Sequence, residues 1–383
     1  MRFINHLFER FFPTPQRLSP GIYHYQAPQA DPRNYRLHLR LAKNGQGILI
    51  VNASTVLHLN ETAAEFAYHI IRQTPQNEVA ERVSRRYNVA KAQALQDFRE
   101  LHEKLEVMIE TPDLDPVSFL DIDRQDPYTD LVAPYRMVCA VTYQTMGVDA
   151  IGVAPTDRVK RELSLEEWHT VLQKAWDAGI PHVIFTGGEP TLRKDLVDLI
   201  LHAEKLGQVT GILTNGNRLS ESDYLQQLLQ SGLDHVMVLL DPHDKLAWVG
   251  LESVLAEDIY TAVHLTITSA NITETKALIG RLSGMGVSAV SLSAIDPALK
   301  DTLDATHTIV AEAGMELVWD VPVPYSKNNP VALELINNDS PPDSARQAWI
   351  YVEPDGDVLP AQGAKSIMGN LLTDPWETIW QNR

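Results

Sequence analysis

One glycine-rich stretch, Phe185 to Arg193, carries the residue types best suited to holding a charged small molecule. It reads Phe-Thr-Gly-Gly-Glu-Pro-Thr-Leu-Arg and follows an apolar run, His182 to Phe185, that is typical of a buried strand. Gly187 and Gly188 allow the backbone to approach a ligand closely, and Glu189 offers a carboxylate to an ammonium group. The pattern predicts a strand-to-helix turn that binds a ligand. A plain glycine-rich turn is the alternative.

The cysteine content limits which disulfides and metal sites the chain can form. The chain has 383 residues and one cysteine, Cys139, which excludes a disulfide framework and any site built from several thiolates of this chain. Cys139 lies inside the strand-like run from Tyr135 to Tyr143. We therefore predict that its side chain is a small buried apolar group and not a metal ligand.

Charge and hydropathy narrow the classes of partner. The formal net charge is -18, so a polyanion such as duplex DNA is not expected as the main partner, and we predict no nucleic-acid binding. No run of about 18 apolar residues occurs, which predicts no membrane span. The N-terminal aromatic residues lack the uninterrupted apolar core of a signal peptide, and the predicted location is the cytoplasm.

The elements that must position these residues fall into five predicted segments. Residues 1–34 are rich in proline and predict an extended lead-in. In residues 35–110, three short alternating strands are followed by three helical patterns, which predicts a small winged-helix-like α+β domain. Residues 111–134 predict a linker. Residues 135–325 alternate strand and helix and predict an α/β fold with a parallel sheet curved into a partial barrel, and 326–383 form a C-terminal extension.

The stretch from Phe185 to Arg193 resembles the second signature of the radical S-adenosylmethionine (radical SAM) superfamily, and the alternation from Tyr135 to Trp319 is similar to its partial (βα)6 TIM-type barrel. The resemblance implies S-adenosylmethionine (SAM) as the cofactor, with Gly187, Gly188 and Glu189 gripping the amino group of its methionine. It further implies that Asp241, Thr266 and Ser291, near the ends of later strands, line the ribose and adenosyl pocket. For Thr266 and Ser291 a simple strand-end role is the alternative.

The same resemblance exposes a departure from the family pattern. Radical SAM proteins follow their first barrel strand with Cys-x3-Cys-x2-Cys, which ligates an iron-sulfur cluster. Aligned on Thr142, the three positions are Thr145, Asp149 and Gly152, and none supplies a thiolate. We predict that the iron-sulfur cluster cannot be built, that SAM, while still possible as a ligand, is held more weakly, and that its reduction to a radical is absent.

Two further segments resemble companions of the radical SAM barrel. Residues 35–110, above all Val56 to Ala63, resemble the PqqD-like family, in which a leader peptide adds a strand to the sheet edge beside the last helix. A structural winged helix that binds nothing is the alternative. Residues 326–383 resemble the start of a SPASM or twitch extension, with Ala361 where relatives place a cysteine.

Three functional hypotheses follow. The preferred one is a cluster-less radical-SAM-like accessory protein, a pseudoenzyme whose partner is a precursor peptide or a cysteine-complete radical SAM paralogue. The second is a non-radical enzyme that uses SAM, or a divalent metal held by Asp149, Asp241, His235, His243 and His264. The third is an active radical SAM enzyme with unusual ligands. Whether the protein is an enzyme is left open.

Overall fold

The structure is a computed structural model that describes residues 18–28, 30–111, 131–145, 154–318, 323–325 and 348–382. The chain forms two compact units, Met1–Thr129 and Asp130–Arg383. The first cluster position, Thr145, is described, whereas Asp149 and Gly152 lie outside the described residues. Most of the predicted linker lies outside them as well.

The first unit is a four-stranded antiparallel sheet covered by three helices. Its strands are β1 (Gly21–Gln26), β2 (Arg36–Leu41), β3 (Gly47–Val51) and β4 (Thr55–Leu59), paired in that order. Its helices are α1 (Glu61–Ile71), α2 (Gln76–Tyr87) and α3 (Lys91–Glu110). The α1 helix begins at Asn60, whose side chain accepts a hydrogen bond from the backbone amide of Ala63.

The predicted lead-in needs a correction. Residues 21–26 are not an unstructured approach to the domain but an edge strand, paired with β2 from Gly21 opposite Leu41 to Gln26 opposite Arg36. Pro20 and Pro28 bracket this strand and limit it to six residues, because proline lacks the amide that would continue the ladder. The proline content was therefore a guide to the ends of the strand and not to its absence.

The second unit is built on a ten-stranded sheet with helices on one face. Its strands are β5 (Arg136–Thr142), β6 (His182–Gly187), β7 (Val209–Thr214), β8 (His235–Leu239), β9 (Tyr260–Ile267), β10 (Ala289–Ala294), β11 (Glu316–Leu317), β12 (Trp349–Val352), β13 (Asp357–Leu359) and β14 (Gly369–Asn370). Its helices are α4 (Leu165–Asp177), α5 (Leu196–Leu206), α6 (Ser222–Gln230), α7 (Lys245–Leu255), α8 (Thr275–Gly284), α9 (Lys300–Glu312) and α10 (Trp376–Gln381). The α4 helix begins with a capping box, in which Ser164 and Glu167 bond reciprocally.

The order of the strands confirms the predicted parallel α/β core. The sheet runs β11-β10-β9-β8-β7-β6-β5-β12-β13-β14, and β5 to β11 pair in parallel. The C-terminal extension is part of this sheet, because β12 pairs in parallel with β5 and forms a hairpin with β13. The carboxyl ends of β5 to β10 therefore lie along one edge, where functional residues of such folds collect.

Alternation along the strands produces two buried layers. On β5, Met137, Cys139 and Val141 pack into the cluster that contains the helices, whereas Val138 and Ala140 belong to a separate cluster on the other face of the sheet. None of the helices in the described part of the chain combines the length and apolar character needed to cross a bilayer.

Candidate functional site

The glycine-rich turn at the end of β6 is hydrogen-bonded to the end of β5. The backbone amide of Gly188 donates to the carbonyl of Thr142 at 2.9 Å, and that of Glu189 donates to the carbonyl of Gln144 at 2.7 Å. A Cβ atom at Gly187 would lie 2.0 Å from the Thr142 carbonyl oxygen, and one at Gly188 would lie 2.2 Å from that of Gln144. Both glycines are therefore required by close contact between two backbones.

Arg193, the last residue of the stretch, supports the same contact. The pairing of β5 with β6 shifts register between Ala140 and Thr142, which leaves Val141 as the extra residue of a bulge. The guanidinium of Arg193 donates from Nη1 to the Val141 carbonyl at 3.0 Å and from Nε to Asp195 at 2.6 Å. Arg193 thus satisfies a carbonyl at the bulge, a role that the sequence alone did not suggest.

Glu189 is buried and connects its own turn to the end of β7 by hydrogen bonds. Its Oε1 accepts hydrogen bonds from the amide and hydroxyl of Thr191 at 3.1 and 2.6 Å and from the hydroxyl of Thr214 at 2.6 Å. Its Oε2 accepts from the amide of Asn215 at 2.8 Å. Burial raises the pKa of Glu189, and the donors from Asn215, Thr191 and Thr214 oppose that rise.

This geometry bears on the fit of SAM to the turn. A carboxylate offers about four lone-pair positions, and the protein already directs four donors at the carboxylate of Glu189. The amino group of a bound SAM would have to share these oxygens, so the turn offers a weaker grip through Glu189 than a free carboxylate would. The predicted cofactor role of Gly187, Gly188 and Glu189 remains a prediction.

The residues at the cluster positions do not fit an iron-sulfur cluster. The Cγ2 atom of Thr145 would lie 2.9 Å from a Cβ at Gly188, so the first ligand position is beside the turn, as the resemblance implies. A threonine hydroxyl does not replace a thiolate, and the single cysteine of the chain is elsewhere. Cys139 is fully buried on the helix-facing side of β5, and burial raises the pKa of its thiol, as expected for an inert apolar side chain.

Two of the other predicted pocket residues, Thr266 and Ser291, contact a buried histidine. His264 on β9 lies opposite Ser291 on β10, with 2.9 Å between Nδ1 and the Ser291 hydroxyl and 3.3 Å between Nε2 and the Thr266 hydroxyl. Burial lowers the pKa of His264 to about 3, so its imidazole is neutral. Asp241 is exposed just beyond β8, where its carboxylate accepts from the amide of His243 at 2.9 Å. Binding of SAM by Asp241, Thr266 and Ser291 remains a prediction.

The structure does not bring together the proposed metal ligands. His235 is the first residue of β8 and Asp241 lies beyond its last residue, so a strand length of roughly 20 Å separates them. His235 pairs instead with His182, with 2.7 Å between their Nε2 atoms, at the amino ends of the strands. Asp149 lies outside the described residues. Among the described residues, His235, Asp241, His243 and His264 form no group of three or more whose ligand atoms could hold one ion, so the predicted metal site is wrong for the part of the set that can be placed.

Three buried tyrosines lie together on the face of the sheet opposite the helices, and their proximity could not be predicted from local sequence patterns. The rings of Tyr143 and Tyr325 have centroids 5.6 Å apart, and those of Tyr325 and Tyr351 are 6.5 Å apart. Alanines on β5, β9 and β10 lie in the same cluster and leave room for these rings. The amide of Tyr325 also donates to the Gly187 carbonyl at 2.9 Å, so the tyrosines lie against the glycine-rich turn.

An ion pair between a buried carboxylate and a half-buried guanidinium joins the C-terminal hairpin to this cluster. Glu353, 1% exposed, accepts a hydrogen bond from the Tyr143 hydroxyl at 2.9 Å and pairs with Arg158. Arg158 also donates from Nη1 to the carbonyl of Ala364 at 2.7 Å. Burial raises the pKa of Glu353, and Arg158 opposes that rise.

The buried histidines predict acid sensitivity. Burial lowers the pKa of His235 to about 4 and of His264 to about 3, below the value of about 6.5 in an unfolded chain. Between these values the unfolded state binds more protons, so stability is fully present above pH 6.5 and falls as the pH drops. We expect each histidine to cost about 2 kcal/mol of unfolding free energy between pH 7 and pH 5.

Urea unfolding at the two pH values measures this loss. His264→Asn should show a smaller loss by about 2 kcal/mol than the unaltered chain. His243→Asn, at an exposed position, should show the same loss as the unaltered chain. Equal losses in all three proteins would contradict a neutral buried His264.

Comparison with known proteins assigns the family. Residues 138–246, which include the turn and the ends of β5 to β8, match the radical SAM superfamily. Residues 138–246 therefore form a radical SAM domain. It is similar to a PqqA peptide cyclase of Streptomyces rochei, with 27% identity over 263 residues that cover 59% of this chain and 70% of the relative.

Solved structures share the fold of this radical SAM protein. SuiB of Streptococcus suis, in a crystal structure with its precursor peptide SuiA, has a TM-score of 0.58 and 16% identity, with 93% of this chain and 88% of SuiB covered. SuiB bound to S-adenosylmethionine gives a TM-score of 0.55 at 16% identity and the same coverage. At these identities the match establishes the fold and leaves the site residues to be judged on their own chemistry.

Proposed function

We propose that this protein is a cluster-less member of the radical SAM superfamily that binds a precursor peptide and acts as an accessory protein in peptide modification. The proposal rests on one observation: the glycine-rich turn is retained, whereas the neighbouring cluster positions carry no thiolates. Gly187 and Gly188 still pack on the end of β5, while Thr145 stands at the adjacent ligand position and Cys139 faces the helices.

The comparisons support the peptide part of the proposal. The relative from Streptomyces rochei is a PqqA peptide cyclase, and SuiB was crystallised with its precursor peptide SuiA. The first unit has the three strands and three helices expected of a PqqD-like peptide-recognition domain, together with one additional edge strand. We infer a location in the cytoplasm, where precursor peptides are made.

SAM is the ligand that the family and the SAM-bound SuiB structure suggest. In this chain the turn would present it with backbone groups and a Glu189 already engaged by Thr191, Thr214 and Asn215. When bound in family members with a complete cluster, SAM supplies a radical. Here the residues would serve only to hold it, and we expect weak binding in calorimetry.

The test of the cluster-less state is anaerobic reconstitution of the full chain with iron and sulfide. We expect no visible absorbance of a cluster after desalting and no deoxyadenosine after addition of SAM and reductant. Cys139→Ala should give the same iron content as the unaltered chain, because the Cys139 thiol is buried. A brown, iron-loaded preparation that forms deoxyadenosine would refute the proposal.

The test of the accessory role is binding. Calorimetry with the short precursor peptide encoded beside the gene, and co-purification with a cysteine-complete radical SAM paralogue, should each detect a complex. Absence of binding to both would count against the proposed function while leaving the family assignment intact.

A further inference from the structure

The edge of β2 beside α3 is the place where strand addition is expected in the first unit, and residues of the same chain occupy it. All six residues of β2 are buried, and β1 pairs with it along its whole length. Tyr25 of β1 lines a cavity together with α3 residues that include Phe98, Leu105 and Glu106. The chain thus provides its own strand at this edge.

Side chains at alternate positions of β1 contact the helices. Tyr23 meets the ring of Tyr68 edge-on at 4.9 Å between centroids, and the guanidinium of Arg72 lies 5.4 Å from the Tyr23 ring. The Tyr25 hydroxyl accepts a hydrogen bond from Gln73 at 3.0 Å. The edge therefore recognises an aromatic side chain, then any residue, then a second aromatic side chain. The first ring is contacted by the edge of another aromatic ring and by a guanidinium cation.

The strand that the chain supplies fits this edge incompletely. Gly21, His24 and Gln26 are exposed, and none of the six residues of β1 is fully buried. Next to Tyr25 remains a cavity of about 290 Å³, with apolar walls from Leu37 and α3 and polar groups from residues such as Gln73. A side chain larger than tyrosine at this position would fill space that β1 leaves empty.

We propose that the edge of β2 beside α3 is a peptide-docking site held in cis by residues 21–26, and that its external partner is an extended peptide with aromatic side chains at alternate positions, the second bulkier than tyrosine. The incoming peptide takes the place of β1 beside β2. It forms the same backbone hydrogen bonds to β2 that β1 formed, so their number does not change. This deepens the proposed function, on which it rests for the precursor peptide as the natural source.

The tether explains why β1 acts as a competitor. Residues 27–35 join β1 to β2, and Arg33 in this loop pairs with Glu106 of α3, which keeps the displaced strand near its edge. A tethered strand competes at an effective concentration that short linkers place in the millimolar range. Weakening the contacts of β1 should therefore raise the affinity for a free peptide.

The experiment uses the full chain and synthetic peptides of this chain's residues 18–28. The probe is the fluorescein-labelled peptide with Tyr25→Trp, and its matched control carries His24→Trp on the opposite side of the strand. In fluorescence anisotropy we expect the probe to bind the Tyr23→Ala/Tyr25→Ala double variant at least about tenfold more tightly than it binds the unaltered chain. Lys43→Ala, at an exposed position in the turn between β2 and β3, should match the unaltered chain.

Hydrogen exchange of the unaltered chain supplies a second readout that does not depend on the folding of a variant. Saturation with the probe should accelerate exchange of the amides of residues 21–26, because the strand leaves the sheet. Two results would overturn the proposal: no binding of the probe to either chain, or binding that leaves exchange of residues 21–26 unchanged. Since the probe is not the precursor peptide, failure here is distinct from failure of the proposed function.

Discussion

Gly187→Ala should remove most of the stability of the second unit. The new Cβ would lie 2.0 Å from the Thr142 carbonyl oxygen, and Gly187 has a φ of +137°, which residues with a side chain rarely adopt. Neither strand can yield, because their backbones are hydrogen-bonded to each other at this point. We expect a loss of about 4 kcal/mol or more in the free energy of unfolding.

Urea unfolding followed by tryptophan fluorescence measures this loss, with Gly280→Ala as the matched control. Gly280 lies on the exposed side of α8, and a Cβ there would meet nothing within 4 Å. That change should be neutral or stabilising by up to about 1 kcal/mol, because alanine is the better helix former. Equal stability of the two variants would show that the turn is not in close backbone contact with the end of β5.

Periodicity predicted the elements of the second unit well because its strands are buried on both faces. The run from Tyr135 to Tyr143 contains β5, and the run from His182 to Phe185 lies in β6, which continues to Gly187. The turn after β6 was placed correctly as well. The helix of the predicted strand-to-helix turn begins only at Leu196, because residues 190–192 form a 3-10 turn that keeps the chain close to Glu189.

Contacts distant in sequence could not be predicted in the same way. Tyr143 and Glu353 are 210 positions apart, and nothing in either local pattern indicates the other. The pairing of β12 with β5 could not be predicted either, because the sequence of a four-residue strand does not indicate which strand it pairs with. The role of Glu189 was predicted from its type, whereas its actual surroundings depend on Thr214 and Asn215 of the next strand end.

The strand β1 was missed for a different reason. Its six residues alternate, but the prolines of residues 1–34 favoured an extended lead-in over regular structure. The strand is stabilised by pairing with β2 and by the rings of Tyr68 and Tyr35, which are tertiary contacts. Tertiary context therefore overrides local preference at the very edge where peptide docking is proposed.

Glu353→Ala should destabilise the second unit by about 1–3 kcal/mol. The carboxylate is buried, and its removal leaves the Arg158 guanidinium without its ion partner and the Tyr143 hydroxyl without its acceptor. Urea unfolding measures the loss, and limited proteolysis of the hairpin formed by β12 and β13 reports whether it leaves β5. Glu377→Ala on the exposed face of α10 is the matched control and should change stability by less than about 0.5 kcal/mol.

A second substitution separates the ion pair from simple loss of packing. If the cost of Glu353→Ala comes from the half-buried Arg158 guanidinium left without its ion partner, adding Arg158→Met should restore part of the stability, because no unpaired charge then remains beside the Tyr143 hydroxyl. If the cost comes from packing around Tyr143, the double variant should be at least as unstable as the single one. Recovery in the double variant would identify the Glu353–Arg158 pair as the electrostatic link between the C-terminal hairpin and the residues that follow the missing cluster ligands.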